Sequence, residues 1–249
     1  PRRAALLAQY PVIMDLGLYW WLLLFLLATR VPPQGYGTLL NTDLGAELRH
    51  LSAFMRMAAA YKDKIGFPGT LLLEPKPHEP STHQYDWDVA ATAGFLHRAG
   101  LDKAFKINVE CNHATLAGHS CHHELEMART LGLLGNLDAN TGDPTLGWDT
   151  DQFLVDLRAA ALAMLPIVKQ GGLGTGGVNF DAKLRRESVD VRDLVVAHVS
   201  GMDSMARGLR AAARLLEDGR LVALVEERYS SFSASDLGRR IEAGDVEFE

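Results

Sequence analysis

Apolar residues recur along this chain with two alternating spacings, one typical of amphipathic helices and one typical of short buried strands. Between residues 44 and 58 they recur every three or four positions, which predicts a helix that ends at Gly66. The run TLLLE, residues 70–74, follows as a short apolar segment closed by the prolines of PKP. A helix followed by a buried strand is therefore the first predicted unit.

The same alternation continues to residue 217. The predicted elements are, in chain order, a helix over 88–100, a strand over 105–110, a helix over 119–132, a strand over 133–138, a helix over about 151–170, a strand over 178–182 and a helix over about 191–217. Helices that alternate with short apolar strands indicate a parallel sheet covered by helices. The predicted fold class is therefore α/β.

The first 34 residues do not follow this alternation. Residues 16–28 are thirteen apolar residues without a charge, downstream of Arg2 and Arg3, and a membrane span needs ~20. A signal-peptide core fits this run, and so does a buried segment from a truncated or misread coding sequence. We treat residues 1–34 as an atypical apolar leader. We expect a cytoplasmic protein, with secretory targeting left open by residues 16–28.

Composition and charge exclude some classes of function. The 249 residues are 47% hydrophobic and 22% charged, with a mean hydropathy of −0.02, as in globular proteins. A net charge of −6 argues against binding to a nucleic-acid backbone, which needs clustered positive charge. Cys111 and Cys121 are too few for a disulfide scaffold, so the sequence predicts reduced thiols.

Acidic residues close the predicted strands. The first three strands end on Glu74, Glu110 and Asp138, and the fourth carries Asp181 near its end. In a parallel α/β barrel the carboxyl ends of the strands open onto one face, where active sites are built. Four carboxylates gathered there would repel one another strongly unless cations neutralised them. The pattern therefore predicts a metal site.

Further candidate groups lie in the loops at the same face. Asp149 and Asp151 follow the third of these strands, and His113 lies just beyond Glu110. Oxygen ligands in this number suit magnesium or manganese better than structural zinc, and one histidine shifts the preference slightly toward manganese or cobalt. Lys76, held between two prolines, is either a solvated charge or an electrophile that points at a substrate oxygen.

Two other motifs have simpler explanations. His119, His122 and His123 are spaced to share a helix face, but the stretch lacks the H-E-x-x-H pattern, so surface or packing histidines are the favoured interpretation over a zinc site. The run GLGTGG, residues 172–177, follows a predicted helix and precedes a strand, the reverse of the order that dinucleotide binding needs. We interpret it as a tight connector.

From about residue 35 onward the sequence resembles xylose isomerase, in particular its longer-chain, plant-like branch. The matching motifs are GYGTLLNTDL, EPKP, HQYDWD, VECNHATLAGHS, GLLGNLDANTGDP, GWDTDQF, GGVNFDAKLRRES and EERYSSF. The resemblance implies a TIM-type (β/α)8 barrel. Residues 35–249 would form its C-terminal part, an incomplete barrel with roughly strands 5 to 8 and their helices.

The resemblance also implies the chemistry. The family interconverts an aldose and a ketose, here D-xylose and D-xylulose with D-glucose as an alternative sugar, by a metal-assisted hydride shift between C1 and C2. Two divalent cations per subunit are expected, magnesium first, with manganese or cobalt as alternatives. Lys76 would bond the oxygen on C1. The implied ligands are Glu74, Glu110, Asp138 and Asp181 for the first ion and Glu110, His113, Asp149 and Asp151 for the second.

The sequence departs from the family pattern upstream of residue 35. The family has a Trp-Gly-Gly-Arg-Glu run there, where this chain has TRVPPQ. Its upstream strands bring a catalytic histidine–aspartate pair, and its far C-terminal arm wraps neighbouring subunits in a homotetramer. The alternative hypothesis is therefore a catalytically inactive metal-binding fragment of undetermined oligomeric state. A third is a membrane-anchored or secreted variant that uses residues 1–28.

Overall fold

The structure is a computed structural model, and it describes residues 35–184 and 188–247. The predicted leader, residues 1–34, lies outside the described residues, and so do the hypotheses that depend on it. Within the described part of the chain, no helix combines the length and the apolar character that a bilayer span requires.

Strands and helices alternate through most of the described ranges. The strands are β1 (Gly35–Tyr36), β2 (Leu71–Leu73), β3 (His83–Gln84), β4 (Phe105–Glu110), β5 (Leu134–Asp138), β6 (Asn140–Thr141), β7 (Gln152–Phe153) and β8 (Val178–Asn179). The α-helices are α1 (Leu44–Ile65), α2 (Val89–Ala99), α3 (Cys111–Leu116), α4 (Cys121–Thr130), α5 (Leu157–Gln170), α6 (Val191–Glu217), α7 (Arg220–Ala234) and α8 (Asp236–Ala243).

A four-stranded parallel sheet confirms the predicted α/β class. Its strand order is β2-β4-β5-β8, the same as the order along the chain. Each crossover therefore moves the chain by one strand in the same direction. Helix α4 contacts α2 and α5, as neighbouring helices on one face of a sheet do. Two short antiparallel pairs, β1–β3 and β6–β7, lie beyond the strand ends.

Helix ends follow local capping residues. Asp43, Asp88 and Asp156 each accept a hydrogen bond from a backbone N–H in the first turn of α1, α2 and α5. These helices end at glycines in the left-handed conformation, for example Gly66 with a φ of 67°. The periodicity predicts that α5 begins near residue 151. The helix begins at Leu157 instead, because Asp156 caps it.

Other boundaries differ from the prediction in similar ways. The segment before Asp156 includes β7, which pairs with β6. Helix α4 begins at Cys121 because Ser120 caps it, two residues later than predicted. The short helix α3 is not predicted by the periodicity at all. The glycine-rich run 172–177 connects α5 to β8, as predicted.

The hydrophobic core lies between the sheet and its helices. Phe105 and Ile107 on β4 are fully buried, as are Leu96 on α2 and Leu125 on α4. Both faces of β4 are covered, which suits a central parallel strand. The alternate residues of the same strand are polar, Asn108 and Glu110, and they are buried too. One face of β4 therefore builds the core and the other carries buried polar groups.

Cys111 and Cys121 form a disulfide, so the prediction of reduced thiols is wrong for this structure. Each cysteine is the first residue of its helix, Cys111 of α3 and Cys121 of α4. The short turn between the two helices brings the two Cα atoms to 4.6 Å, within the range that a disulfide spans. This proximity cannot be predicted from the sequence pattern, because α3 is too short to show a periodic pattern.

Helices α5 and α6 pack closely through small residues. A Cβ added at Gly208 of α6 would lie 2.6 Å from the backbone carbon of Ala160 in α5, which cannot move without shifting that helix. We therefore expect Gly208→Ala to lower the free energy of unfolding by about 1–3 kcal/mol. Chemical denaturation measures the change.

Gly94 in α2 provides the matched control for this prediction. It is exposed, and a Cβ there would have no atom within 4 Å. We expect Gly94→Ala to raise the free energy of unfolding by about 0.5–1 kcal/mol, because alanine loses less backbone entropy in a helix. Equal effects of the two substitutions would contradict the close packing at Gly208.

Candidate metal centre

The predicted strand-end acids lie together at the carboxyl edge of the sheet. Glu110 and Asp138 end β4 and β5, and the parallel register places them directly opposite each other. Glu74 follows the last residue of β2, and Asp181 lies two residues after β8. Adjacent parallel strands thus deliver four carboxylates to one place.

Seven predicted ligands form overlapping groups around Glu110. In each group, one ligand atom per residue lies within 4.8 Å of every other. The groups are Glu74, Glu110, Asp138 and Asp181; Glu110, Asp149 and Asp151; and Glu74, Glu110 and His113. His113 also reaches the second group, because its Nε2 is 3.1 Å from Asp149 Oδ2.

Two of the loop acids have unusual backbone conformations. Asp151 and Asp181 have φ angles of 50° and 38°, in the left-handed region that favours glycine. Aspartate tolerates this region better than most residues, but the conformation still costs free energy. Such strained residues cluster at functional sites, where the surrounding structure holds them in place.

Asparagine side chains bridge the carboxylates, and the motifs of the sequence do not single them out. Asn108 Nδ2 donates to Glu74 Oε2 at 2.6 Å and to Asp138 Oδ2 at 2.7 Å. Asn136 Nδ2 in turn donates to Asn108 Oδ1 at 2.8 Å. Asn108 and Asn136 lie two positions before Glu110 and Asp138, so the two-residue alternation of a strand places each on the same face as its acid. That alternation was the signal available in the sequence.

Asn112 and Asn140 are a second pair of amides, and they position the acids that come from the strand end and from the loop. Asn140 Nδ2 donates to Glu110 Oε1 at 2.7 Å, and Asn140 Oδ1 accepts from the backbone N–H of Asn112 at 2.9 Å. The Asn112 side chain donates to Asp149 Oδ1. These bonds connect β4, α3 and the loop that bears Asp149, so the acids from different elements are positioned relative to one another.

The histidine of the site presents a lone pair to acidic oxygens. Burial lowers the pKa of His113, so the ring is neutral at pH 7. Its Nδ1 lies 3.0 Å from the carbonyl oxygen of Pro75, a contact that assigns the ring proton to Nδ1. The unprotonated Nε2 then faces Glu110 Oε1 at 3.3 Å and Asp149 Oδ2 at 3.1 Å. Lone pairs that face one another in this way favour a cation between them.

Burial and mutual repulsion raise the pKa values of most of these acids. Burial is the main cause for Glu74 and Glu110, and the charges of neighbouring carboxylates add to it. Burial and the charge of Asp138 raise the pKa of Asp181 to about 7. Burial also raises the pKa of Asp138 and Asp151.

Asp149 differs from the other acids because it has cationic and donor partners. Burial favours its neutral form, but its contacts with His113, Asp151 and Lys76 hold the pKa of Asp149 well below its usual range. Lys76 Nζ lies 2.8 Å from Asp149 Oδ2 and 3.3 Å from Glu79 Oε2. Burial alone would lower the pKa of Lys76, but these acids raise it overall, so Lys76 is protonated.

The residues present fit a pair of divalent cations. Glu110 is 2% exposed, and its Oε2 has no hydrogen-bond partner among the described residues, an arrangement that a metal ion would satisfy. Six carboxylates face two lysines, Lys76 and Lys183, and the latter lies 2.9 Å from Asp151 Oδ2. Two divalent cations would bring the formal charge of this centre to zero. Oxygen-rich donors of this kind suit magnesium and manganese.

The helix histidines form a smaller and separate group. One ligand atom each from His119, His123 and Glu124 lie within 4.8 Å of one another. His119 Nε2 is 3.3 Å from Asp88 Oδ2, and Glu124 Oε2 accepts from the backbone N–H of Val89 at 2.7 Å. These contacts join α4 and the turn before it to the start of α2, which accounts for His119 and Glu124 as packing residues.

The similarity of this chain to known proteins indicates the kind of protein in which such a centre occurs. No family model matches the chain. The xylose isomerase of Arabidopsis thaliana is 62% identical over 216 residues, which cover 87% of this chain and 45% of that protein. The xylose isomerase of Hordeum vulgare gives the same values, and that of Bacillus velezensis is 56% identical over 87% of this chain and 48% of its own length.

Over these 216 residues the chain is similar in sequence to xylose isomerases. The resemblance to xylose isomerases that the motifs indicate is thereby confirmed. The chain spans about half the length of the curated relatives it matches. A solved structure of an L-ribulose 3-epimerase aligns with 74% of this chain and 61% of its own at 16% identity, with a TM-score of 0.49, a similarity too low to bear on function.

The raised pKa values predict how pH acts on the metal-free protein. Acids whose pKa is higher in the folded state bind more protons there, so folding stability falls as pH rises from about 4 through about 7. With a chelator present, we expect the melting temperature to be lower at about pH 8 than at about pH 5, by roughly 5 °C or more. Magnesium or manganese should remove most of this decrease.

Asp181→Asn tests the cause of the pH effect. The substitution removes a group whose pKa is raised to about 7, so the decrease in melting temperature should become shallower in the metal-free protein. Asp143→Asn is the control, because hydrogen bonds from Thr145 lower the pKa of Asp143 and it lies outside the ligand groups. If both variants keep the wild-type pH profile, Asp181 is not the cause.

Proposed function

We propose that this chain carries the metal-binding part of an aldose–ketose isomerase that interconverts D-xylose and D-xylulose. The observation that carries the proposal is the pair of ligand groups that share the buried Glu110 at the carboxyl edge of a parallel sheet. The sequence identity to xylose isomerases supports the substrate class.

In this proposal the first cation is held by Glu74, Glu110, Asp138 and Asp181. The second is held by Glu110, His113, Asp149 and Asp151. Divalent cations bound there would polarise the two sugar oxygens, which a hydride shift between C1 and C2 requires. Magnesium is the first choice, with manganese or cobalt as alternatives.

The chain's own residues supply orientation and charge. Lys76 is protonated and held by Asp149 and Glu79, so it can donate a hydrogen bond to the sugar oxygen on C1. The amides of Asn108 and Asn140 keep the carboxylates apart and pointed at the centre. Low exposure of Glu110 and Asp138 limits the water that competes for the site.

We propose that β2, β4, β5 and β8 are four consecutive strands of a barrel, corresponding to its strands 5 to 8. The match between strand order and chain order supports this, because a doubly wound sheet reverses direction. β2 and β8 are the edges of the described sheet, where further strands would pair. Residues 35–249 would then be the C-terminal part of the barrel. A homotetramer would follow the family pattern.

A metal-binding fragment without turnover is the second candidate. The observation that favours it is the exposure of many large apolar side chains on α6 and α7, among them Val195, Val199 and Leu224. Uncovered surface of this kind is expected where further chain or another subunit normally packs.

Metal stoichiometry tests the ligand assignment directly. We expect two Mn²⁺ ions to bind per chain by isothermal titration calorimetry at neutral pH. Asp138→Asn should weaken one site and Asp151→Asn the other, whereas Glu110→Gln should weaken both, since Glu110 is in both groups. Glu126→Gln, on α4 and paired with Arg129, is the control. A single ion unaffected by Glu110→Gln would contradict the assignment.

Activity separates the two candidate functions. We expect D-xylulose to form from D-xylose when the chain is supplied with magnesium, alone or mixed with the unmatched half of the Arabidopsis relative. Lys76→Met should reduce kcat by about 10²–10³-fold with metal binding retained, because it removes a preorganised donor. Lys103→Met, an exposed lysine after α2, is the control. Two bound ions without turnover in either preparation would favour the fragment.

A further inference from the structure

The Cys111–Cys121 disulfide lies directly beside the candidate metal centre. Cys111 follows Glu110, the residue shared by the ligand groups, and comes two positions before His113. Cys111 is buried, with 4% of its surface exposed, whereas Cys121 is only partly buried. One end of the bond therefore borders the site, and the other lies nearer to the protein surface.

The disulfide is one of the contacts that hold α3 in place. This helix has six residues, and its N-cap, Glu110, makes no side-chain capping bond. Helices of this length are not stable without tertiary contacts. Besides the disulfide, α3 is held by bonds from the Asn112 backbone N–H to Asn140 and from the Asn112 side chain to Asp149, and by contacts of His113 with Pro75 and Asp149.

Helix α4, at the other end of the bond, is anchored more firmly. It has ten residues and a capping bond from the backbone N–H of His123 to the Ser120 side chain. The buried Glu124 joins it to the first residue of α2. The disulfide therefore fastens the short helix that carries His113 to a helix with its own anchors.

We propose that this bond is a reversible thiol–disulfide site that sets the metal affinity of the centre, with tighter binding in the oxidised form. The covalent ring across residues 111–121 restricts α3 before an ion arrives, so less ordering remains to be done on binding. Disulfides of proteins in reducing compartments are usually transient and redox-sensing, which matches a switch for a protein expected in the cytoplasm.

The exchange balances with a dithiol as reductant. One thiolate of the dithiol attacks the Cys121 sulfur, and the Cys111 sulfur leaves and takes up a proton. The second thiolate of the reductant then displaces Cys121 and closes a cyclic disulfide, so two electrons pass to the protein. A cyclic disulfide or glutathione disulfide reverses both steps.

The test compares Mn²⁺ affinity in the two redox forms of the full chain, and it rests on the proposed metal centre but not on turnover. The chain is treated with dithiothreitol or with its cyclic disulfide, and the reagent is removed by gel filtration under argon. Iodoacetamide labelling and mass spectrometry count free thiols.

We expect no labelled cysteines and tight binding in the oxidised form. The reduced form should have two labelled cysteines and a dissociation constant for Mn²⁺ raised roughly 10-fold, as loss of support around ligands does elsewhere.

The Cys111→Ala/Cys121→Ala variant is the matched control. It should bind Mn²⁺ as weakly as the reduced chain, and neither reagent should change its affinity. Equal affinities of the two wild-type forms, labelling of both cysteines after oxidation, or a redox response in the variant would each overturn the inference and leave the metal centre standing. Absence of Mn²⁺ binding in both forms would overturn the metal centre as well.

Discussion

Repulsion among carboxylates at one edge of a parallel sheet is the constraint on which the rest of the structure depends. Parallel strands deliver their last residues to the same edge, and here those residues are acidic. Burial makes the repulsion worse, which is why the pKa of Asp181 rises to about 7. The fold tolerates this arrangement only with counter-charges nearby, and Lys76 and Lys183 supply part of them.

Hydrogen-bond donors and a neutral histidine surround the acids and partly offset that repulsion. Hydrogen-bond donors satisfy one oxygen of each central carboxylate, while Glu110 Oε2 stays without a partner among the described residues. His113 turns its protonated nitrogen to a backbone carbonyl and its lone pair inward. An arrangement that leaves acceptors facing one another is costly without a cation, so the same features that would destabilise the metal-free protein give it affinity for metal.

The sequence predicts the parallel sheet and the meeting of the acids well, because both follow from the repeated order of helix and strand. The bounds of α6 agree with the prediction, since its periodicity is long and regular. The start of α5 does not, because Asp156 caps it and the preceding residues pair in β7. Tertiary proximity is harder to foresee. The pairing of Cys111 with Cys121 depends on α3, which is too short to leave a periodic signal.

Asn108 and Asn136 have a consequence for how the centre responds to its surroundings. They link Glu74, Asp138 and the backbone N–H of Gly177 across neighbouring strands. Amide side chains neither gain nor lose protons, so these donors offer the same N–H groups in acidic and in neutral solution. Acidity changes how many of the acids are charged, while the network between them keeps its own charge state. The groups that hold the acids and the groups that ionise are therefore different residues.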